Sequence, residues 1–516
     1  MSRKKLPIGI QTFREIRQEG YYYVDKTAIA HQLVSEGKYY FLSRPRGFGK
    51  SLFIDTLAEM FEGNEPLFRG LAAHGQWDWG RRFPVIRLSF ADGLLHSREA
   101  LDIRIDSLLR DNAERLGLPD ATERDVPGRF AALIRNAERL HGQRVVILVT
   151  EYDKPVLDNL NQPAIAREMC NGLLNLYSVI KDSDAHLRFA MLTGVSKFSR
   201  AGMFSGLNNL NDISITARYS AICGYTDEDV DTVFAPELPG LDRDEIRAWY
   251  NGYNWMGPSV YNPFDLLLLF QKREFRPFWF ETGTPTFLVD LLTARRTFAP
   301  DLENLVVSGS LLSSFDVDQI QTEALMFQTG HLAIESVRRL PGQLYMNLGY
   351  PNLEVKASLN EALLQRYLPE AGTALAQTGE LYDLLQANDF PGLHTLFSAF
   401  FASIPLDWYC NNPIAQYEGY YASVFYSHFA ALGLDIRLED VTNRGRIDMT
   451  VLFSGHVYLF EFKVVELVPK GRALQQLRER GYAEKYRARG EPIHLIGVEF
   501  SRDSRGVVGF EVEQVA

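Results

Sequence analysis

Two groups of residues in this chain combine types and spacings that could carry chemistry. The first is Phe41-Leu42-Ser43-Arg44-Pro45-Arg46-Gly47-Phe48-Gly49-Lys50-Ser51. Gly47 and Gly49 lack side chains, so the backbone N–H groups of Arg46 to Ser51 can approach an anion, and a helix opening at Lys50 would add its partial positive charge. Lys50 would reach the β- and γ-phosphates of a nucleotide, and Ser51 would offer its hydroxyl to Mg²⁺. Arg44 stands where this motif usually has its first glycine. A second piece of the same chemistry is Val145-Val146-Ile147-Leu148-Val149-Thr150-Glu151-Tyr152-Asp153, an apolar strand ending in acids. Glu151 would polarise the attacking water. The position before it, where an aspartate normally helps to hold Mg²⁺, is Thr150, and Asp153 is the candidate to compensate.

The other group lies near the end of the chain. Arg446 to Phe453 and His456 to Val464 flank the turn-forming pair Ser454-Gly455. If those two residues are the loop, Phe453 pairs with His456, and counting back sets Asp448 opposite Glu461. Alternation puts Lys463 on the face of Glu461. Directly opposed carboxylates repel, and a bridging divalent cation turns that repulsion into attraction. Upstream, Ile414, Glu418, Tyr421, Phe425, His428 and Leu432 recur at helical spacing. Glu418 therefore sits on an apolar stripe, where a carboxylate needs a cation or donor.

The elements that must position these residues follow from periodicity. Strands are expected at 39–42, 84–90, 144–149 and 187–192, with a helix over 51–61 and long amphipathic segments between. That alternation means an α/β fold with a mainly parallel sheet. From about 225 to 340 the pattern is helical and irregular, without clean strand alternation. A helical stretch over 359–401 then leads into a second α/β region. The expected division is 1–222 for a nucleotide-binding domain, 223–342 for a helical lid or linker, and 343–516 for a second catalytic domain with its core at 410–510.

Composition bounds the rest. The 516 residues are 46% hydrophobic and 23% charged, as in globular chains, and are too many for one ordinary domain. Cys170, Cys223 and Cys410 are too far apart for a disulfide framework or a zinc site and read as reduced thiols. No apolar segment has the length of a signal peptide or a membrane span, so a cytoplasmic protein without a membrane partner is expected. The net charge of −11 means that nucleic acid would have to be met by a local basic surface. The candidate is 470–489, read as one helix with seven Lys or Arg against two Glu.

The first group resembles a family of prokaryotic AAA-like ATPases. The resemblance is carried by Tyr22-Tyr23-Val24-Asp25-Lys26-Thr27, by the phosphate loop, by Glu151-Tyr152-Asp153-Lys154-Pro155 and by Leu192-Thr193-Gly194-Val195-Ser196-Lys197-Phe198. It extends through Gly206 to Asp212, Tyr261-Asn262-Pro263 and Glu281-Thr282-Gly283-Thr284-Pro285. In that family the missing first glycine is usual, whereas Thr150 is a departure from aspartate. The resemblance implies that Thr193 and Lys197 lie near the γ-phosphate as sensors; modules of this kind often assemble into rings, which leaves a homo-oligomer open. The second group, Gly445-Arg446-Ile447-Asp448 with Glu461-Phe462-Lys463, is similar to the PD-(D/E)XK nuclease signature. This likeness implies Mg²⁺ on Asp448 and Glu461, with Lys463 activating water. It also makes Glu418 the acid of the first helix and Gln476, in Ala473-Leu474-Gln475-Gln476-Leu477, a site-lining glutamine. Tyr482 is expected on the same helix as Gln476. The function so implied is an ATP-binding protein that cuts nucleic acid, DNA ahead of RNA, with ATP and Mg²⁺. The alternative is a nucleotide-binding scaffold with decayed catalytic centres, which Thr150 favours and the intact Asp448, Glu461 and Lys463 oppose.

Overall fold

The structure is a computed structural model. It describes residues 3–197, 209–281, 286–295, 299–303, 305–312, 321–367, 371–403, 418–442, 444–466, 468–504 and 506–515; within these, the side chains of 286–287, 294, 299–300, 367, 371–376, 403 and 418–420 are not described. The chain divides into two compact units. The first is Met1–Glu281 with Leu305–Asn352, the second Thr282–Asn304 with Leu353–Ala516. Among the described residues no helix is long and apolar enough to cross a membrane.

The first unit is built on five parallel strands, β1 (Tyr39–Ser43), β2 (Val85–Ser89), β3 (Val145–Thr150), β4 (Leu187–Gly194) and β5 (Asn211–Asp212), in the order β2-β3-β4-β1-β5. Val145 to Val149 are all buried, as a central strand covered on both faces requires, which is why β3 reads as an unbroken apolar run. The helix Lys50–Phe61 follows β1 and buries Phe53, Ile54, Leu57, Met60 and Phe61. The four expected strands and this helix are present at the expected places.

The helical middle contains an element that periodicity did not reveal. β6 (Leu305–Ser308), β7 (Ala333–Leu340) and β8 (Gln343–Gly349) form an antiparallel sheet in the order β6-β8-β7. Two features hide it. β7 is exposed from Glu335 onward, and its register shifts between Ile334 and Ser336, so no in–out alternation is legible. The expected boundary at 342/343 falls in the turn joining β7 to β8, whereas the break between compact units comes at Asn352.

In the second unit, Leu353–Tyr367, Ala371–Ala387 and Phe390–Ser403 are three helices, and Glu418–Ala431 precedes the sheet. The strands are β9 (Asp435–Thr442), β10 (Gly445–Phe453), β11 (His456–Val465), β12 (Ile493–Ser501) and β13 (Val507–Val515), in the order β13-β12-β11-β10-β9. β11 and β12 are parallel and the other pairs antiparallel. Tyr421, Phe425 and His428 are fully buried, so the apolar stripe faces the core. Ile414 lies outside the described residues. The expected single helix over 470–489 is not continuous. An α-helix, Arg472–Arg480, ends at Gly481 with φ 59°, and two 3₁₀ turns, Tyr482–Lys485 and Arg487–Arg489, follow. A glycine in the left-handed region ends a helix more readily than it continues one, so Tyr482 begins the next element instead of riding on the helix of Gln476.

Candidate functional site

The loop between β1 and the helix Lys50–Phe61 turns on two glycines, Gly47 at φ 84° and Gly49 at φ 92°. At Gly47 any Cβ would also meet the Asn262 side chain at 2.9 Å. Lys50 is 4% exposed. Its Nζ donates to the carbonyls of Arg44 (3.0 Å) and Pro45 (3.1 Å) and lies 3.6 Å from Glu151 Oε1. Arg46, Gly47, Phe48, Gly49, Lys50 and Ser51 line a cleft of about 480 Å³ with Glu151 on its wall. The structure thus brings the expected phosphate-loop residues and Glu151 together. The Phe48 ring is buried edge-on against Tyr253 and Trp255.

Arg44 is a structural residue. Its guanidinium lies 3.9 Å from the centre of a Trp255 ring and donates to the carbonyls of Ser43, Ser214 and Tyr219. Burial lowers its pKa to about 10, still far above neutrality. Asp153, the candidate to compensate for Thr150, is held by the chain after β4. It is fully buried and accepts from Val195 N–H (3.0 Å), Ser196 N–H (2.6 Å) and Ser196 Oγ (2.7 Å). Burial, with the charge of Glu151, raises its pKa to about 6. Thr193 and Lys197 are not among the residues lining the cleft. Thr193 is buried and its hydroxyl donates to the Val149 carbonyl, while Lys197 pairs with Asp212. Each has a partner in the sheet that holds it where it is.

In the second unit the two-residue turn is Ser454-Gly455, both at positive φ (50° and 76°), as a tight hairpin demands. Phe453 pairs with His456 and Met449 with Phe460, so the inferred register is the observed one. One step further, the Asp448 carboxylate accepts from the Phe462 N–H at 2.8 Å. Glu461 is fully buried; its Oε1 accepts from the Gln476 amide and lies 3.2 Å from Lys463 Nζ. Tyr482 closes the site at Gly445, where a Cβ would meet its Oη at 2.6 Å. Burial first, then the nearby charge of Glu461, raises its pKa. Asp448, Glu461, Lys463 and Gln476 are therefore gathered in one place. Glu418 opens its helix, but its side chain lies outside the described residues. Among the described residues no cluster of three or more His, Cys, Asp or Glu suits a metal. The carboxylate pair offers oxygen donors only, a set that fits a hard divalent cation such as Mg²⁺.

Over all 516 residues the chain is 71% identical to an uncharacterized protein in the vnfD 5′ region of Azotobacter chroococcum mcd 1, covering 100% of each sequence. Residues 7–204 match the family described as a predicted AAA-ATPase, and residues 416–509 match the PD-(D/E)XK nuclease superfamily. The chain belongs to the AAA-like ATPases that carry a C-terminal PD-(D/E)XK domain.

Two features of this AAA-like protein escaped the sequence reading. Asn262, quoted only as part of a resemblance, presses its amide against Gly47 while its Oδ1 accepts from Phe264 N–H at 3.0 Å. The Asn-Pro pair at a helix start was the available signal. Trp279 donates from Nε1 to the Arg46 carbonyl at 3.1 Å, a contact across the unit that no local pattern announces. The basic segment of the PD-(D/E)XK domain has ion-pair partners that its sequence did not show. Arg478 pairs with Glu513, Lys485 with Asp440, Arg487 with Glu484 and Arg489 with Glu491. Its charge is largely met by neighbouring carboxylates, three of them from outside the segment.

Proposed function

We propose that this protein hydrolyses phosphodiester bonds in nucleic acid, DNA in the first instance, under the control of bound ATP. One observation carries the cleavage reading: the buried Glu461 carboxylate, served at once by Lys463 and Gln476 and set beside Asp448. Such a grouping has little structural use, because a carboxylate inside a sheet is costly unless something needs it there. Asp448 and Glu461 would hold Mg²⁺, which when bound supplies Lewis-acid polarisation of the phosphate and a bound water of lowered pKa. Gln476 keeps the Glu461 carboxylate in one orientation. Lys463 brings a positive charge to the site, where it would stabilise the charge developing on the phosphate oxygens.

In the first unit, the two left-handed glycines, Lys50 at the floor of the loop and the helix beginning there support ATP binding. Thr150 supplies no charge for Mg²⁺, and Asp153 is engaged with the backbone after β4. We therefore read the ATPase as a slow, regulatory one. The full chain incubated with labelled DNA and labelled RNA, with and without Mg²⁺ and ATP, tests both readings. If it cuts neither and binds no divalent metal, the cleavage reading is wrong. The scaffold reading would then stand in its place.

A further inference from the structure

The phosphate loop is braced from outside the parallel sheet. The Phe48 carbonyl accepts from Gly224 N–H at 3.0 Å, Gly47 abuts Asn262, and Trp279 Nε1 donates to the Arg46 carbonyl. Gly330 packs so closely on Pro45 that a Cβ there would lie 2.8 Å from its ring, and its φ of 89° suits glycine alone. These braces are joined to one another. The Trp279 ring lies 5.3 Å from that of His331, next to Gly330, and His331 is anchored by its N–H to the Met326 carbonyl (2.8 Å). Trp279 stands on the short helix Phe278–Glu281, which is fastened beneath by Tyr250. The Tyr250 hydroxyl donates to the Arg276 carbonyl and accepts from Arg276 N–H, both at 2.9 Å, and its ring stacks on Phe278. That helix is the last element of the first unit before the chain enters the second at Thr282.

We propose that Trp279 is a positioning residue of the phosphate loop, and that its bond to Arg46 passes nucleotide occupancy on to the chain that begins the second unit. The proposal rests on the reading that the loop takes a nucleotide. The physical argument is directional. An anion that gathers the N–H groups of 46–51 rotates the peptide planes of the loop, and the opposite edges of those planes carry the Arg46 and Phe48 carbonyls. A carbonyl held by an indole N–H cannot turn without pulling the indole or losing the bond. The indole is wedged against His331, so the motion is passed to the helix Phe278–Glu281.

The test uses the full chain and hydrogen exchange, with ATP and Mg²⁺ as the probe and calorimetry to establish binding. ATP is expected to change exchange in peptides covering 278–281 and 286–294. In Trp279→Phe, which keeps a ring and deletes the N–H, ATP should still bind, with an affinity within about fivefold of wild type, the worth of one ordinary hydrogen bond. At saturating ATP the exchange change in 286–294 should still be absent, while the melting temperature without ATP falls by no more than the loss of one ordinary hydrogen bond explains. A merely structural tryptophan would move the melting temperature and leave the ATP response intact. The wild-type measurement needs no variant and is decisive alone: ATP bound with no change in either peptide overturns the proposal. So does a wild-type response in Trp279→Phe. If wild-type protein binds no ATP, the nucleotide reading itself has failed, which calorimetry separates from a failure of coupling.

Discussion

At the scale of single residues, the two carboxylates and the lysine of the second unit should separate by function. Asp448→Ala leaves Glu461 without its neighbour, so divalent-metal affinity and cleavage should fall together. Lys463→Ala leaves both carboxylates in place. Metal should still bind in calorimetry with Mn²⁺, while cleavage drops by about 10²–10³, the usual cost of removing a group that stabilises developing charge. Equal loss of metal binding in both variants would assign Lys463 to holding Glu461 alone. In the first unit, Lys50→Ala should abolish ATP binding. Thr150→Asp should raise ATP turnover, because it restores a charge beside Glu151. The parent protein should turn ATP over more slowly than about 1 per second, the low end for phosphoryl-transfer enzymes; a faster parent would refute the argument from Thr150. The candidate catalytic side chains themselves were legible in sequence, since type and spacing are what the chemistry would select. Arg44 was not: its three carbonyl acceptors come partly from 214 and 219, far along the chain.

At the scale of elements, the segment after β11 behaves differently from a basic helix in solvent. Lys485 and the Tyr486 hydroxyl both meet the buried Asp440, on β9. Lys485→Met should therefore destabilise the second unit by about 1–2 kcal/mol in denaturant titrations, because it leaves a buried carboxylate short of a donor. It should barely alter the salt dependence of nucleic-acid binding. A salt slope reduced by about one unit, as expected when one phosphate contact is lost, would return Lys485 to the nucleic-acid surface. The hairpin β10–β11 lay open to sequence reading because a two-residue turn sets the register of everything that flanks it. The sheet β6-β8-β7 did not, because an exposed strand with a register shift carries no period.

At the scale of the whole molecule, both units bury a neutral histidine. Burial lowers the pKa of His331 to about 3 and that of His428 to about 4. Below the ordinary value near 6.5 the unfolded chain takes up a proton that the folded chain refuses, so stability falls as pH drops from about 6.5 toward 4. For His428, wedged edge-on against Phe400, the loss is on the order of 2–3 kcal/mol. The urea midpoint of the second unit should fall over that window, and His428→Gln should flatten the fall; a midpoint indifferent to pH there would contradict the burial argument. By itself the sequence determined what depends on neighbours along the chain: the alternation that makes a parallel sheet, the glycines of a phosphate loop, and a hairpin whose turn sets Asp448 beside Glu461. Only the tertiary structure decided what depends on distant partners. Asp153 turns to the backbone after β4, Lys197 to Asp212, the basic segment to its carboxylates, and Trp279 to the loop. A charged or polar side chain goes to whichever partner the fold brings within about 3 Å, and the local pattern does not contain that partner.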